Sequence, residues 1–195
     1  MRRWMVVGLL VCACGSDGGG GSGPGSITGT VGGQPLNVKD AVFSLENNAV
    51  TVLVVDRENI CSLLTGTTLP GTTTAMFLSL ANFVPPGIVN PHVTGDYAFF
   101  DLAGGTFPGT TGRYWYGGFE TVTASCAATA VALGTGGTVT VTQTGNTSGT
   151  HFKANLTGVQ FGTDTLNGSI EATYCPALSS TPCGALLARP PGPAE

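Results

Sequence analysis

Charge is what this chain of 195 residues has least of: Asp, Glu, Lys and Arg make up only 9%, against roughly 25% in ordinary soluble domains. That scarcity excludes a surface laced with ion pairs. Seven Lys and Arg, less Arg2 and Arg3 of the N-terminal leader, leave five basic side chains against eleven acidic ones, a formal charge of −6. Arg57, Arg113, Lys153 and Arg189 are scattered, so nucleic acid is excluded as a partner, because duplex binding needs grouped Lys and Arg. Histidine is nearly missing. His92 lies in a loop after Pro91 and His151 opens a strand, and both read as solvent-facing. A serine hydrolase would need one of them beside a serine and a carboxylate. No Gly-x-Ser-x-Gly elbow, Walker loop, His-Glu-x-x-His or EF-hand loop is present, and no Cys-x-x-Cys spacing. No cofactor and no metal are expected. No apolar run reaches the roughly 20 residues that a spanning helix requires.

The longest apolar run, Trp4 to Leu10, follows Met1-Arg2-Arg3 and leads into Val11-Cys12-Ala13-Cys14-Gly15. Two arginines, a short apolar stretch and small residues before a cysteine have the layout of a secretory signal that export removes. These residues resemble a bacterial lipoprotein signal. The resemblance implies cleavage after Ala13 and acylation of Cys14, palmitate included; lipidation at Cys12 and plain secretion are the alternatives. Gly15, where some bacteria use aspartate to retain lipoproteins at the inner membrane, implies an outer-membrane address. The expected division is residues 1–13 signal peptide, 14–25 lipidated cysteine and glycine-rich tether, 26–175 β-domain, and 176–195 proline-rich tail. Multiple acyl chains give stable anchoring, and the eleven residues of Gly15 to Gly25 form a flexible coil of roughly 18 Å. Gly18-x-Gly20-x-x-Gly23 follows no strand, so it is not a dinucleotide fingerprint.

With Cys12 removed and Cys14 acylated, four cysteines remain, Cys61, Cys126, Cys175 and Cys183. An even number in an exported chain reads as two disulfides with three connectivities open. Cys61–Cys126 and Cys175–Cys183 are the favoured pairs.

The rest of the chain is strand-like. Ser26 to Val31 alternates up to Gly32-Gly33, Pro35 to Leu45 is extended, and Val50 to Val55 is apolar on both faces and therefore central. Ile60, Leu63 and Leu64 fall at helical spacing, with Asp56 as N-cap and Cys61 facing in, which predicts one short helix near 57–65. Strands follow at Thr72 to Phe83, ended by Pro85-Pro86-Gly87, at Asp96 to Leu102, and at Arg113 to Thr123 with a glycine bulge. Cys126 to Leu133 is open between strand and helix. Thr138 to Gln143, His151 to Leu156 and Leu166 to Tyr174 alternate cleanly, with turns at Gly145-Asn146 and Gly162-Thr163-Asp164. About nine strands and one helix predict an all-β fold, an antiparallel sandwich or barrel. Gly-Thr-Val-Thr-Val, Gly-Thr-x-Phe-x-Ala and Leu-Asn-Gly-Ser-Ile-Glu-Ala, between Gly136 and Cys175, resemble the C-terminal meander of bacterial lipoproteins of unknown function.

Candidate chemistry is sparse. Asp96 and Asp101 flank one strand, and Asp56 and Glu58 cluster at a helix start. A glycosidase needs two carboxyls facing each other across roughly 5–9.5 Å, whereas Asp56 is explained as a cap and Asp96 as a turn residue. Tyr114-Trp115-Tyr116 with Phe119, Tyr97 and Phe99-Phe100 are the candidate ligand-binding group, since flat aromatics on an open strand stack on sugar rings. Alternation sends either Trp115 or both tyrosines inward. The expected function is a noncatalytic, membrane-anchored envelope lipoprotein presenting a β-domain for a structural or binding role, with a glycan or protein partner. A carbohydrate or small-ligand module using Tyr114 to Tyr116 is the alternative.

Overall fold

The computed structural model describes residues 23–46, 48–89, 93–101 and 110–180, and they fold as an all-β protein. In chain order the strands are β1 (Gly25–Thr28), β2 (Thr30–Val31), β3 (Gln34–Pro35), β4 (Asp40–Glu46), β5 (Ala49–Val55), β6 (Thr73–Val84), β7 (Gly87–Val89), β8 (Gly95–Phe99), β9 (Gly112–Val122), β10 (Ala128–Gln143), β11 (His151–Phe161) and β12 (Asp164–Tyr174). Two short helices, α1 (Ile60–Leu64) and α2 (Ala177–Ser180), complete them. Eight strands form a closed barrel in the order β4-β5-β6-β9-β8-β10-β11-β12, and the parallel pairs Thr173↔Val42 and Tyr174↔Phe43 join β12 back to β4. Closure decides between the two architectures that the alternation allows. Outside the ring, β1 lies along β12, β7 pairs with β6, and β2 with β3 forms a small hairpin.

Alternation fills the barrel. Ala41 and Phe43 of β4, Val50, Val52 and Val54 of β5, Met76, Leu78 and Leu80 of β6, and Trp115 and Phe119 of β9 point inward. Tyr97, Val139, Val141, Phe152, Leu156 and Phe161 meet them from the other side. An eight-stranded barrel has an interior about wide enough for side chains to fill, and here large residues occupy it. At roughly 1.5–3 kcal/mol for each large apolar side chain buried, this interior is the main source of stability.

Backbone irregularities keep the apolar face inward where the sequence changes phase. On β11 the inward residues are Phe152, Ala154 and Leu156, then Val159 and Phe161. The switch from even to odd falls at a bulge between Leu156 and Val159, where Gly158 has φ 57° and its N–H donates to Asn167 Oδ1 at 2.7 Å. On β10 similar shifts at Gly134, Gly136 and Thr138 let one 16-residue strand serve three neighbours. The stretches Cys126 to Leu133 and Thr138 to Gln143 are thus largely parts of a single strand, the first pairing with β9 and the second with β8 and β11. The expected bulge in β9 is absent. Its register with β6 runs unbroken from Thr73↔Val122 to Phe83↔Gly112, and Gly118 instead leaves room for the Phe77 ring, whose Cε1 would lie 2.6 Å from a β-carbon there.

A second core lies on the outer wall. Val42, Leu53, Val55, Ala75, Phe77 and Val122 point away from the barrel and are covered by Ile60 and Leu64 of α1, Leu69, and Ala177 and Leu178 of α2. This layer explains why Val50 to Val55 is apolar on both faces. Cys61 of α1 is bonded to Cys175, at the end of β12. That corrects the favoured pairing: β12 closes onto β4, which carries its end to the wall where α1 packs, whatever the separation along the chain. Cys126 is also disulfide-bonded.

Two smaller expectations are corrected. Asn59, in a left-handed conformation and without a side-chain cap bond, stands at the helix N-cap. Asp56 Oδ1 instead accepts from the Thr74 N–H, and Asp40 Oδ2, twenty residues upstream of Ile60, accepts the Ile60 N–H at 2.8 Å. The segment after Pro176 opens with α2 rather than with loose chain, because Ala177 and Leu178 are buried in the outer core. The segment expected to be a signal peptide, Cys12, Cys14, His92 and Cys183 lie outside the described residues.

Candidate functional site

The outer wall where β11 meets β12 brings His151 and Lys153 against one carboxyl, Glu171. Phe152 and Ala154 point inward, so His151, Lys153 and Asn155 point outward, and on β12 Ser169, Glu171 and Thr173 do the same. Lys153 stands directly opposite Glu171, with Nζ 2.9 Å from Oε2. His151 Nδ1 is 3.4 Å from Oε1 of the same carboxyl, outside hydrogen-bond geometry. His151 is thus placed beside Glu171 rather than simply facing solvent, although its side chain keeps 44% exposure. The Glu171 N–H donates to the Pro24 carbonyl, and Gly23 and Gly25 complete an open cleft of about 230 Å³ with Thr142, Lys153, Asn155 and Ser169.

The sequence signal for this cluster is the phase switch on β11. A tight turn at Gly162 continued without a bulge would set Lys153 opposite Ala172, on the wrong face; the bulge at Gly158 brings it to Glu171. The arrangement can hold a small polar or charged group at the surface. Its Lys153–Glu171 ion pair is partly exposed, where such a pair contributes about 0–1 kcal/mol.

Glu120 is the second unusual group. It lies on the outer face of β9, opposite Ala75 of β6 and Val131 of β10, and is only 5% exposed. Its Oε1 has no hydrogen-bond partner. Desolvation raises its pKa to about 7, because a carboxylate loses water there and gains no compensating charge.

The aromatic group divides between the two faces. Trp115 is fully buried inside the barrel, edge-on to Phe99 at 5.2 Å, with Nε1 donating to the Gly137 carbonyl at 3.1 Å. Gly134 makes room for its ring. Tyr114 and Tyr116 lie on the outer wall, half-buried; Tyr114 stacks edge-on with Phe100 at 6.1 Å, and Tyr116 packs on the outer core. The three do not form one exposed row. Tyr97 is buried, its hydroxyl donating to the Val93 carbonyl, and burial raises its pKa against the opposing pull of Arg113.

Two of the carboxylates considered for acid–base work are engaged in hydrogen bonds to strand residues. Asp56 caps Thr74, and Asp96, in β8 rather than in a turn, accepts from Thr140 Oγ1 at 2.7 Å. Among the described residues no group of three His, Cys, Asp or Glu could hold a metal, and no helix is long and apolar enough to cross a membrane. No protein-family model, curated protein or solved structure matches this chain.

Proposed function

We propose that the chain is a noncatalytic envelope lipoprotein, anchored through acylated Cys14 in the outer membrane, whose barrel serves a structural or binding role from its outer wall. The observation that carries this reading is the filled barrel: Trp115, Tyr97, Phe43, Phe152 and Phe161 occupy the interior, so a partner has the wall rather than the lumen to engage. The position of the tether supports it as well. Eight residues, Gly15 to Ser22, lie between Cys14 and the first described residue, Gly23, which borders the wall cleft beside Lys153 and Glu171. The glycan module is the weaker reading, since a stacking platform needs flat rings on one face and Trp115 lies on the face opposite Tyr114 and Tyr116.

The test is the intact mass of the membrane-extracted mature protein, before and after alkylation without reductant. The expected result is a chain beginning at Cys14 with a lipid-sized increment and no alkylated cysteine. A mature chain without lipid would refute the anchor.

A further inference from the structure

We propose that Ala128–Leu133, the free edge of β10, pairs antiparallel with the same edge of a second copy of this chain. Strand β10 continues past the turn joining β11 to β12. Its pairing with β11 begins at Gly134↔Phe161 and its pairing with β8 covers only Thr138 to Val141. Along Ala128–Leu133 the one neighbouring strand among the described residues is β9. The backbone groups directed away from β9 therefore have no ladder partner among the described residues, and such an edge is a template for another strand.

Folded proteins blunt exposed edges with Lys, Pro or inward-pointing charge. Here the run is Ala-Thr-Ala-Val-Ala-Leu, and no charged residue, histidine or proline occurs from Thr121 to Thr150; a β-bulge, another such device, lies only at its start, between Ala128 and Ala130. Val131 and Leu133 are 44% and 45% exposed, although they are large apolar residues in the part of the strand, Ala130 to Leu133, that pairs in unbroken register with β9. The absence of charge also selects the occupant. The mature chain carries a formal charge of −6, which separates two copies elsewhere, but this seam contributes no like-charge repulsion and is complementary to itself.

Geometry fixes the register. A two-fold axis normal to the sheet keeps outward residues opposite outward residues, so residues face each other in pairs of like phase. Centring the axis on Val131 sets Val131 against its own copy and brings Leu133 beside the bulge at Thr129 of the other, which covers both exposed apolar side chains. A seam this short lies at the small end of protein interfaces, so the dimer is expected to dissociate reversibly in the micromolar range.

The test is sedimentation velocity on the full chain in mild detergent, over roughly two decades of concentration around the micromolar range. The expected result is a reversible dimer in the wild type and in Val131→Thr. Val131→Lys sets like charges directly opposite each other and is expected to weaken it at least about tenfold. The emission of Trp115 reports whether each variant is folded. Independently, Val131→Cys is expected to form an oxidised homodimer whose linked peptides map to position 131 in both copies. A monomer across the whole range, a dimer that Val131→Lys leaves intact, or a dimer without the 131–131 link would each overturn the proposal.

Discussion

Neutralising Glu120 should change how stability depends on pH. Its folded-state pKa is raised from 4.5 to about 7, so the folded protein holds a proton that the unfolded chain releases across that interval. Stability from this group is therefore greatest below about pH 4.5, declines as pH rises to about 7, and is constant above. A shift of this size corresponds to about 3 kcal/mol at 1.36 kcal/mol per pH unit, an upper figure because local relaxation lets water reach the carboxylate. The assay is urea unfolding at closely spaced pH values, followed by Trp115 emission, for the wild type and Glu120→Gln. Other carboxylates titrate in both proteins, so the difference between the two curves isolates Glu120. The variant should gain on the wild type from pH 5 to 7 and hold that gain at pH 8. Its amide adds a buried donor that can cost about 1–3 kcal/mol if unpaired. This offset is independent of pH, so the slope rather than the absolute difference decides. Parallel curves from pH 5 to 8 would refute the assignment of Glu120 as a desolvated, unpartnered carboxyl.

Removing the bond between Cys61 and Cys175 with Cys61→Ser should lower the unfolding free energy by at most about 5 kcal/mol, since the bond closes a loop with a sequence separation of 114; an unchanged urea midpoint under oxidising conditions would count against that bond. Trp115, the only tryptophan besides Trp4, should emit as a buried indole and stay unchanged on titration with glycans, and Trp115→Ala should cost about 3–5 kcal/mol in urea unfolding; solvent-exposed emission, or quenching by a sugar, would contradict its place inside the barrel.

The fold was legible where side-chain phase alone determines structure. Val50 to Val55 is apolar at every position but Thr51, and the structure sets it between β4 and β6 with the barrel on one face and the helices on the other. Disulfide connectivity was not legible, because the choice between partners depends on where closure brings the chain ends. Loop entropy grows only slowly with length, so proximity in sequence is a poor guide; Cys175 reaches Cys61 by way of the β12–β4 pairing. Glu120 was hidden for a related reason. A lone Glu in an alternating strand reads as solvent-facing, and only a second layer on the wall makes that position apolar.

The glycines of β10 have roles that the sequence pattern does not display. Gly134, Gly136 and Gly137 resemble a loop between two short strands, whereas each serves a continuous one. Gly134 admits the Trp115 ring, Gly136 lies at the register shifts, and Gly137, at φ 94°, presents its carbonyl to the indole N–H. Glycine in a strand weakens it unless a close approach or bulge requires it, and here Trp115 is that requirement. Beyond Gly134 the strand outruns β11, which ends at Phe161 in the turn to β12, so along Ala128–Leu133 its one neighbour among the described residues is β9.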